Sequence, residues 1–180
     1  MRQLFDVIPH AFDEAEIAEI FALADKSALQ DGTVFSTADN AETLRKSQIS
    51  WLSSQWLKER LWAHVQRVND VSFGLDVTDQ ADMQFTCYDA RYQGHYDWHH
   101  DVHWSSQDEQ DRKISVSLQL SAPHSYEGGD FEFEEVKTTA DFRAKGTLIL
   151  FPSYLRHKVS PVTAGTRYSL VAWFFGPRWR

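Results

Sequence analysis

His99-His100-Asp101 places a carboxylate two residues after an imidazole, His157 follows 56 residues after that carboxylate, and Arg167 comes ten residues later. Two histidines and one carboxylate form the donor set that holds Fe(II) on one face of an octahedron and leaves three positions open. In an extended strand residues i and i+2 point to the same side. His99 and Asp101 can therefore share one metal while His100 faces away. Arg167 offers a planar cation that can grip a carboxylate through two hydrogen bonds. These residue types and spacings point to an iron site, with His99, Asp101 and His157 as ligands and an acid cosubstrate beside it.

Other arrangements compete for the same residues. The chain has eight histidines, so chance pairs are available, and His95, His99, His100 and His103 cluster by themselves. A zinc site on His95 and His99 is the obvious rival, but it leaves Asp101, His157 and Arg167 without a joint role. An isolated arginine on a strand is by default a salt-bridge partner, and only its place after His157 argues for more.

The surrounding segments sharpen the reading: Thr86-Cys87-Tyr88, Gly94-His95-Tyr96-Asp97-Trp98-His99-His100-Asp101, Phe151-Pro152-Ser153 leading to His157, and Thr166-Arg167 leading to Phe174. With the Glu127-Gly128-Gly129-Asp130 turn, the stretch from about Met83 to Phe175 resembles the 2-oxoglutarate/Fe(II) dioxygenases in their prolyl-4-hydroxylase-like branch. The resemblance implies a double-stranded β-helix (jelly roll) that uses Fe(II), 2-oxoglutarate and O₂, with ascorbate as an optional addition. It implies hydroxylation of a C–H bond with release of succinate and CO₂, the substrate being a prolyl residue in a protein or peptide. Arg167 would bind the distal carboxylate of 2-oxoglutarate, aided by the hydroxyl of Tyr88. The stretch from Tyr88 to His99 is longer than in typical relatives, which leaves Tyr92 as the alternative. A free amino acid or small metabolite is the alternative substrate. From a different class comes a non-catalytic cupin-like module, which would bind metal without producing succinate. Nucleic-acid demethylation is weaker still.

Composition narrows the classes. The 180 residues are 42% hydrophobic and 14% aromatic, enough for one domain with a buried core. The formal net charge of −8, with 18 Lys and Arg and no long basic run, disfavours nucleic acid as the main partner. Cys87 is the single cysteine, so no intrachain disulfide forms, which suits a cytoplasmic protein; a small buried strand residue is its expected role. No stretch has the length and apolarity of a signal peptide or a membrane span. The oligomeric state is not legible.

The chain reads as one domain over 1–180, helical over about 1–70 and a jelly-roll core over about 71–176. Asp13 caps a first helix carrying Ile17, Ile20, Phe21 and Ala24; Ser54 caps a second with Leu57, Leu61, Val65 and Val68 on one stripe. Between them the polar stretch Asp31 to Lys46 reads as a loop around a short strand, and Arg45-Lys46-Ser47 as a loop entering a strand at Ile49. From Val71 onward the pattern is strands, and the helices cover one face of the sheet. Alternation over Ile114–Leu120 sends Ile114, Val116, Leu118 and Leu120 to the helices and Ser115, Ser117 and Gln119 to the barrel interior. On the last strand Arg167, Ser169, Val171 and Trp173 share the inner face. Trp173 is then a wall of the iron pocket or core filler, and Trp98, of opposite parity to His99, is expected in core packing. Tyr92, Tyr96, Trp104 and Tyr126 form an aromatic set expected in loops beside the site. Asp130 and Glu132 could reach substrate, although a solvated strand edge is the expected place, and Arg91, Arg112 and Arg156 have no assigned place.

Overall fold

The computed structural model describes residues 3–25, 29–32 and 44–180. Most of the polar stretch between Asp31 and Lys46 lies outside them. Helix α1 (Glu14–Asp25) starts with a reciprocal capping box: Asp13 Oδ1 accepts from Glu16 N at 2.8 Å, and Glu16 Oε2 accepts from Asp13 N at 3.0 Å. Helix α2 (Gln55–Val68) buries Leu57, Leu61, Val65 and Val68, the stripe read from the sequence. Ser54 does occupy its N-cap position, but its hydroxyl makes no capping hydrogen bond; its carbonyl accepts from Lys58 N instead.

Two sheets form the body. The larger runs β1 (Asp6–Ile8), β10 (Leu148–Pro152), β7 (Gln110–Gln119), β12 (Val162–Pro177), β5 (Ala81–Asp89), β4 (Gln48–Leu52) and β2 (Gln30–Asp31), with β8 (Tyr126–Gly128) also on β12. The smaller has the order β3 (Arg45–Lys46), β6 (His95–His99), β11 (His157–Val159) and β9 (Phe131–Phe133). This is a double-stranded β-helix with the N-terminal helices on the larger sheet, as the resemblance implies. The first 70 residues are less purely helical than their periodicity suggests, because β1, β2, β3 and β4 all fall within them. Strands do not begin at Val71 either: Asn69–Phe73 is a π-helical turn, closed by Gly74 in the left-handed region (φ 62°).

Alternation along the central strands divides two environments. Ile114, Val116, Leu118 and Leu120 of the β7 segment and Leu170, Ala172 and Phe174 of β12 pack with both helices in one apolar core. Their neighbours on the same strands face the smaller sheet across a narrow cavity lined by Ser117, Ser169, Val171 and Trp173. A second apolar cluster, including Phe131, Phe133, Ile149, Phe151 and Val162, closes the space between the sheets at one side.

Candidate metal and cosubstrate site

β6 and β11 are antiparallel neighbours in the smaller sheet, and their register sets His99 directly opposite His157. Asp101 follows at the end of β6, its amide held by Ser153 O at 2.8 Å. One donor atom from each of His99, Asp101 and His157 lies within 4.8 Å of the other two, and among the described residues no other such group forms. The contacts are specific: His99 Nε2 is 3.6 Å from Asp101 Oδ1, and His157 Nε2 is 3.6 Å from Asp101 Oδ2. His95, the partner in the zinc alternative, is not in this group. Nor is His100, whose Nε2 instead accepts from Trp104 Nε1 at 3.1 Å.

Each imidazole is oriented by its backbone. His99 Nδ1 is 2.7 Å from Asp97 O, and His157 Nδ1 is 2.9 Å from Leu155 O. A carbonyl only accepts, so Nδ1 carries the proton and Nε2 presents its lone pair to the shared centre. Burial and the adjacent His157 push the His99 pKa down to about 3, so its ring is neutral at physiological pH. Burial also opposes charge on Asp101. The two histidines, Arg112 and a hydrogen bond from Ser115 outweigh that cost and hold its pKa below the usual carboxylate value. Neutral imidazoles and an ionised carboxylate are the forms that ligate a divalent metal. Ser115 Oγ donates to Asp101 Oδ2 at 2.6 Å and lies 2.9 Å from Ser153 Oγ, fixing the carboxylate plane. Sequence parity puts Ser115 inside; its contact with Asp101 depends on β7 and β10 lying side by side in register, Ser115 opposite Phe151.

Across the cavity, Arg167 on β12 is the direct cross-strand partner of Tyr88 on β5. Arg167 is 2% exposed, its guanidinium carbon is 5.6 Å from the Tyr88 ring centroid, and its Nη1 has no hydrogen-bond partner among the described residues. Gly129 lets the Glu127–Asp130 turn close on this side chain: its φ is +63°, and a Cβ there would stand 3.0 Å from Arg167 Cδ. Burial raises the Tyr88 pKa, so the phenol stays protonated and able to donate. Tyr92 is elsewhere, its hydroxyl 3.1 Å from Cys87 O. Cys87 is a buried free thiol whose pKa burial raises, a structural strand residue as expected.

Several side chains differ from their sequence reading. Trp98 joins neither apolar core; it is half-buried on the outer face of the smaller sheet, with Lys158 Nζ 4.7 Å from its ring centroid. Tyr126 is buried in the second apolar cluster, on the Gly129 and Arg167 side rather than beside His99, its hydroxyl accepting from Gln119 Nε2 at 2.9 Å, so the aromatic set splits and of its four members Tyr96 and Trp104 share the groove with His99. Asp130 and Glu132 pair with Arg143 and Lys158, the solvated edge expected. Arg91 and Arg156 also make surface ion pairs, with Asp89 and Glu134. Arg112 is different. A register irregularity on β7 opposite Phe174/Phe175 interrupts strand alternation, and its guanidinium sits 3.8 Å from the Trp173 ring centroid. Trp173 walls the cavity with a buried indole N–H that has no partner among the described residues. Arg45 and Gln84, which carry no sequence signal as site residues, line the same cavity.

The site therefore combines three side chains that could hold a metal ion with a buried arginine on the opposite wall whose Nη1 has no partner among the described residues. That pairing fits Fe(II) and the carboxylate of 2-oxoglutarate.

Residues 83–175 match the family model described as the 2OG-Fe(II) oxygenase superfamily. A PKHD-type hydroxylase of Hyphomonas neptunium is 43% identical over 61 residues, which are 33% of this chain and only 27% of that protein. One from Stutzerimonas stutzeri is 27% identical over 177 residues, 92% of this chain and 76% of that protein. A Trichoplax adhaerens prolyl hydroxylase, solved with a hypoxia inducible factor peptide fragment, shares the fold with a TM-score of 0.73 at 18% identity, over 96% of this chain and 84% of that one. The family match spans more than half of the sequence and contains every residue of the metal group together with Tyr88 and Arg167, and on that ground the chain belongs to the 2OG-Fe(II) oxygenase superfamily.

Proposed function

We propose that this protein is an Fe(II)- and 2-oxoglutarate-dependent hydroxylase acting on a prolyl residue within a protein or peptide. The observation that carries the chemistry is the buried Arg167 Nη1, unpartnered and sharing a cavity with the convergent His99, Asp101 and His157. An isolated buried cation is costly, and a diacid spanning the cavity would satisfy it. In this reading His99, Asp101 and His157 hold the iron, Arg167 grips the distal carboxylate and Tyr88 donates to it. Bound Fe(II) and 2-oxoglutarate supply O₂ activation coupled to oxidative decarboxylation, with succinate and CO₂ as products. The chain contributes ligand orientation through the Asp97 and Leu155 carbonyls, a fixed carboxylate through Ser115, and apolar walls from Phe131, Phe151 and Val171 that exclude water.

The peptidyl reading is supported by the rim. The unpartnered Trp173 indole N–H would find an acceptor in a substrate backbone carbonyl, and Arg112 lies over the same ring. Trp51, 45% exposed, stands 6.1 Å from Trp173, and Trp104 is 53% exposed beside His100. Proline-rich chains dock well on such aromatic surfaces. The peptide held by the Trichoplax neighbour and the hydroxylase names of the relatives point the same way. A reducing, cytoplasmic setting suits Fe(II) and the free Cys87. Among the described residues no helix is long and apolar enough to cross a membrane.

The test is succinate release, with mass detection of a hydroxylated product, for proline-containing peptides against free L-proline and other amino acids. Peptide turnover that disappears in His157→Ala is the expected result. Turnover of free amino acids alone would overturn the peptidyl reading and leave the iron chemistry standing.

A further inference from the structure

The two histidines of the metal group are held in different ways. His157 is wedged between aromatic side chains, its ring centroid 5.4 Å from Phe131 and 4.7 Å from Phe151. His99 lies nearer the open edge, where Tyr96, His100, Val102 and Trp104 line a groove beside it. What braces its ring there is Tyr96, with centroids 3.4 Å apart and planes 7° from parallel.

Two residues three apart on a regular strand point to opposite faces. Here the register shifts: His99 pairs with His157, but Tyr96 pairs with Val159, so Asp97 and Trp98 together stand opposite Lys158. This bulge brings Tyr96 onto the face of His99. Tyr96 is in turn covered by Arg45, its cross-strand partner on β3, with the guanidinium carbon 4.7 Å from the ring centroid. Arg45 is 7% exposed and tethered, Nε donating to Ser47 Oγ and Nη2 to Gln84 Oε1, both at 2.7 Å. Gln84 belongs to β5, so the arginine ties the edge of the smaller sheet to the inner face of the larger one.

We propose that Arg45 is a positioning residue for the metal site: it presses Tyr96 onto His99 and so fixes the plane of that imidazole. The inference rests on reading His99 as a metal ligand. A guanidinium stacked on a ring and tied at two nitrogens holds a plane that a flexible chain would not. Orienting partners of metal ligands typically contribute about 10- to 100-fold in metal affinity.

The experiment uses Co(II) as an absorbance probe of the otherwise metal-free protein, with proton NMR of His99 before metal is added. Arg45→Met should weaken Co(II) binding about 10-fold. Tyr96→Leu should do so by a similar factor, and Tyr96→Phe, which keeps the stacked ring, should recover most of the loss. Because Arg45 acts through Tyr96, the double variant Arg45→Met/Tyr96→Leu should bind no more weakly than Tyr96→Leu alone. In the metal-free protein the ring current of Tyr96 shifts the His99 ring protons upfield, and Arg45→Met should move them back. A role in folding alone would lower the melting temperature and leave these resonances in place. Native Co(II) affinity and an unmoved His99 resonance in Arg45→Met would overturn the proposal, as would effects that multiply in the double variant. If Arg45→Met does not fold, Arg45→Lys is measured the same way: it keeps the charge but not the planar tether, and native affinity there is equally fatal. Failure of the wild-type protein to bind Co(II) would instead remove the metal-site reading on which the inference stands.

Discussion

β12 carries two different solvents on one backbone. On its helix side Leu170, Ala172 and Phe174 are 1%, 0% and 0% exposed and belong to the larger apolar core. On its cavity side Arg167, Ser169 and Trp173 are nearly as buried, at 2%, 1% and 5%. There, Arg167 Nη1 and Trp173 Nε1 lack hydrogen-bond partners among the described residues. Burial on the first face is a gain in stability. On the second it is a cost carried by the fold, which a ligand can return as binding energy. Equal exposure thus conceals opposite roles, and substitutions on the two faces should separate them.

The largest effects come from exchanging one residue on each face. Phe174→Ala should lower stability by about 3–5 kcal/mol, as a large core side chain leaves a cavity, while 2-oxoglutarate affinity of the folded fraction changes little. Arg167→Met should do the reverse. It removes a buried cation with an unmet hydrogen bond, so the cosubstrate-free protein keeps or gains melting temperature, while the 2-oxoglutarate carboxylate loses its partner at a cost of about 3–5 kcal/mol. Denaturant unfolding and calorimetric titration of 2-oxoglutarate read the two quantities. If Arg167→Met destabilises the protein as Phe174→Ala does and binding persists, the contrast between the faces is wrong.

The pH dependence is a smaller effect. In the metal-free protein His99 has its pKa held at about 3, below the unfolded value near 6.5. As pH falls below about 6.5 the unfolded chain takes up a proton that the native site refuses, so stability falls, on the order of 1 kcal/mol per pH unit down to about pH 3. Asp101, also held low, adds to the loss once pH drops below the ordinary carboxylate range. The deficit of Phe174→Ala carries no proton and should stay constant over this interval. A His99→Phe variant whose stability depends on pH as steeply as the wild type would break the assignment.

The smallest effect separates two phenols. Tyr88→Phe should raise the apparent KM for 2-oxoglutarate by the equivalent of one hydrogen bond, about 0.5–1.5 kcal/mol. Tyr92→Phe should leave it unchanged, since that hydroxyl is directed at the Cys87 carbonyl. Steady-state succinate release distinguishes them, and a response in Tyr92→Phe alone would transfer the role.

Local spacing and the two-residue period of a strand were enough to expect the convergence of His99, Asp101 and His157, the inward face of Arg167, Ser169, Val171 and Trp173, and the helix-facing stripe of β7. Each follows from covalent geometry repeated along a regular element. The same rule fails where the element is irregular. The bulge at Asp97 and Trp98 turned Tyr96 onto the His99 face, and the break in β7 put Arg112 over Trp173. Trp98 went to an outer surface under Lys158 rather than into a core. Choices between equivalent groups also lay beyond local pattern: Tyr88 faces Arg167 because β5 and β12 pair in one register, and Ser115 meets Asp101 because β10 lies beside β7. The candidate ligand set was legible in the sequence, since residue identity and spacing are local. Which side chains pack around His99, Asp101 and His157 depends on strand register and bulges, properties of pairs of distant segments that exist only in the folded chain.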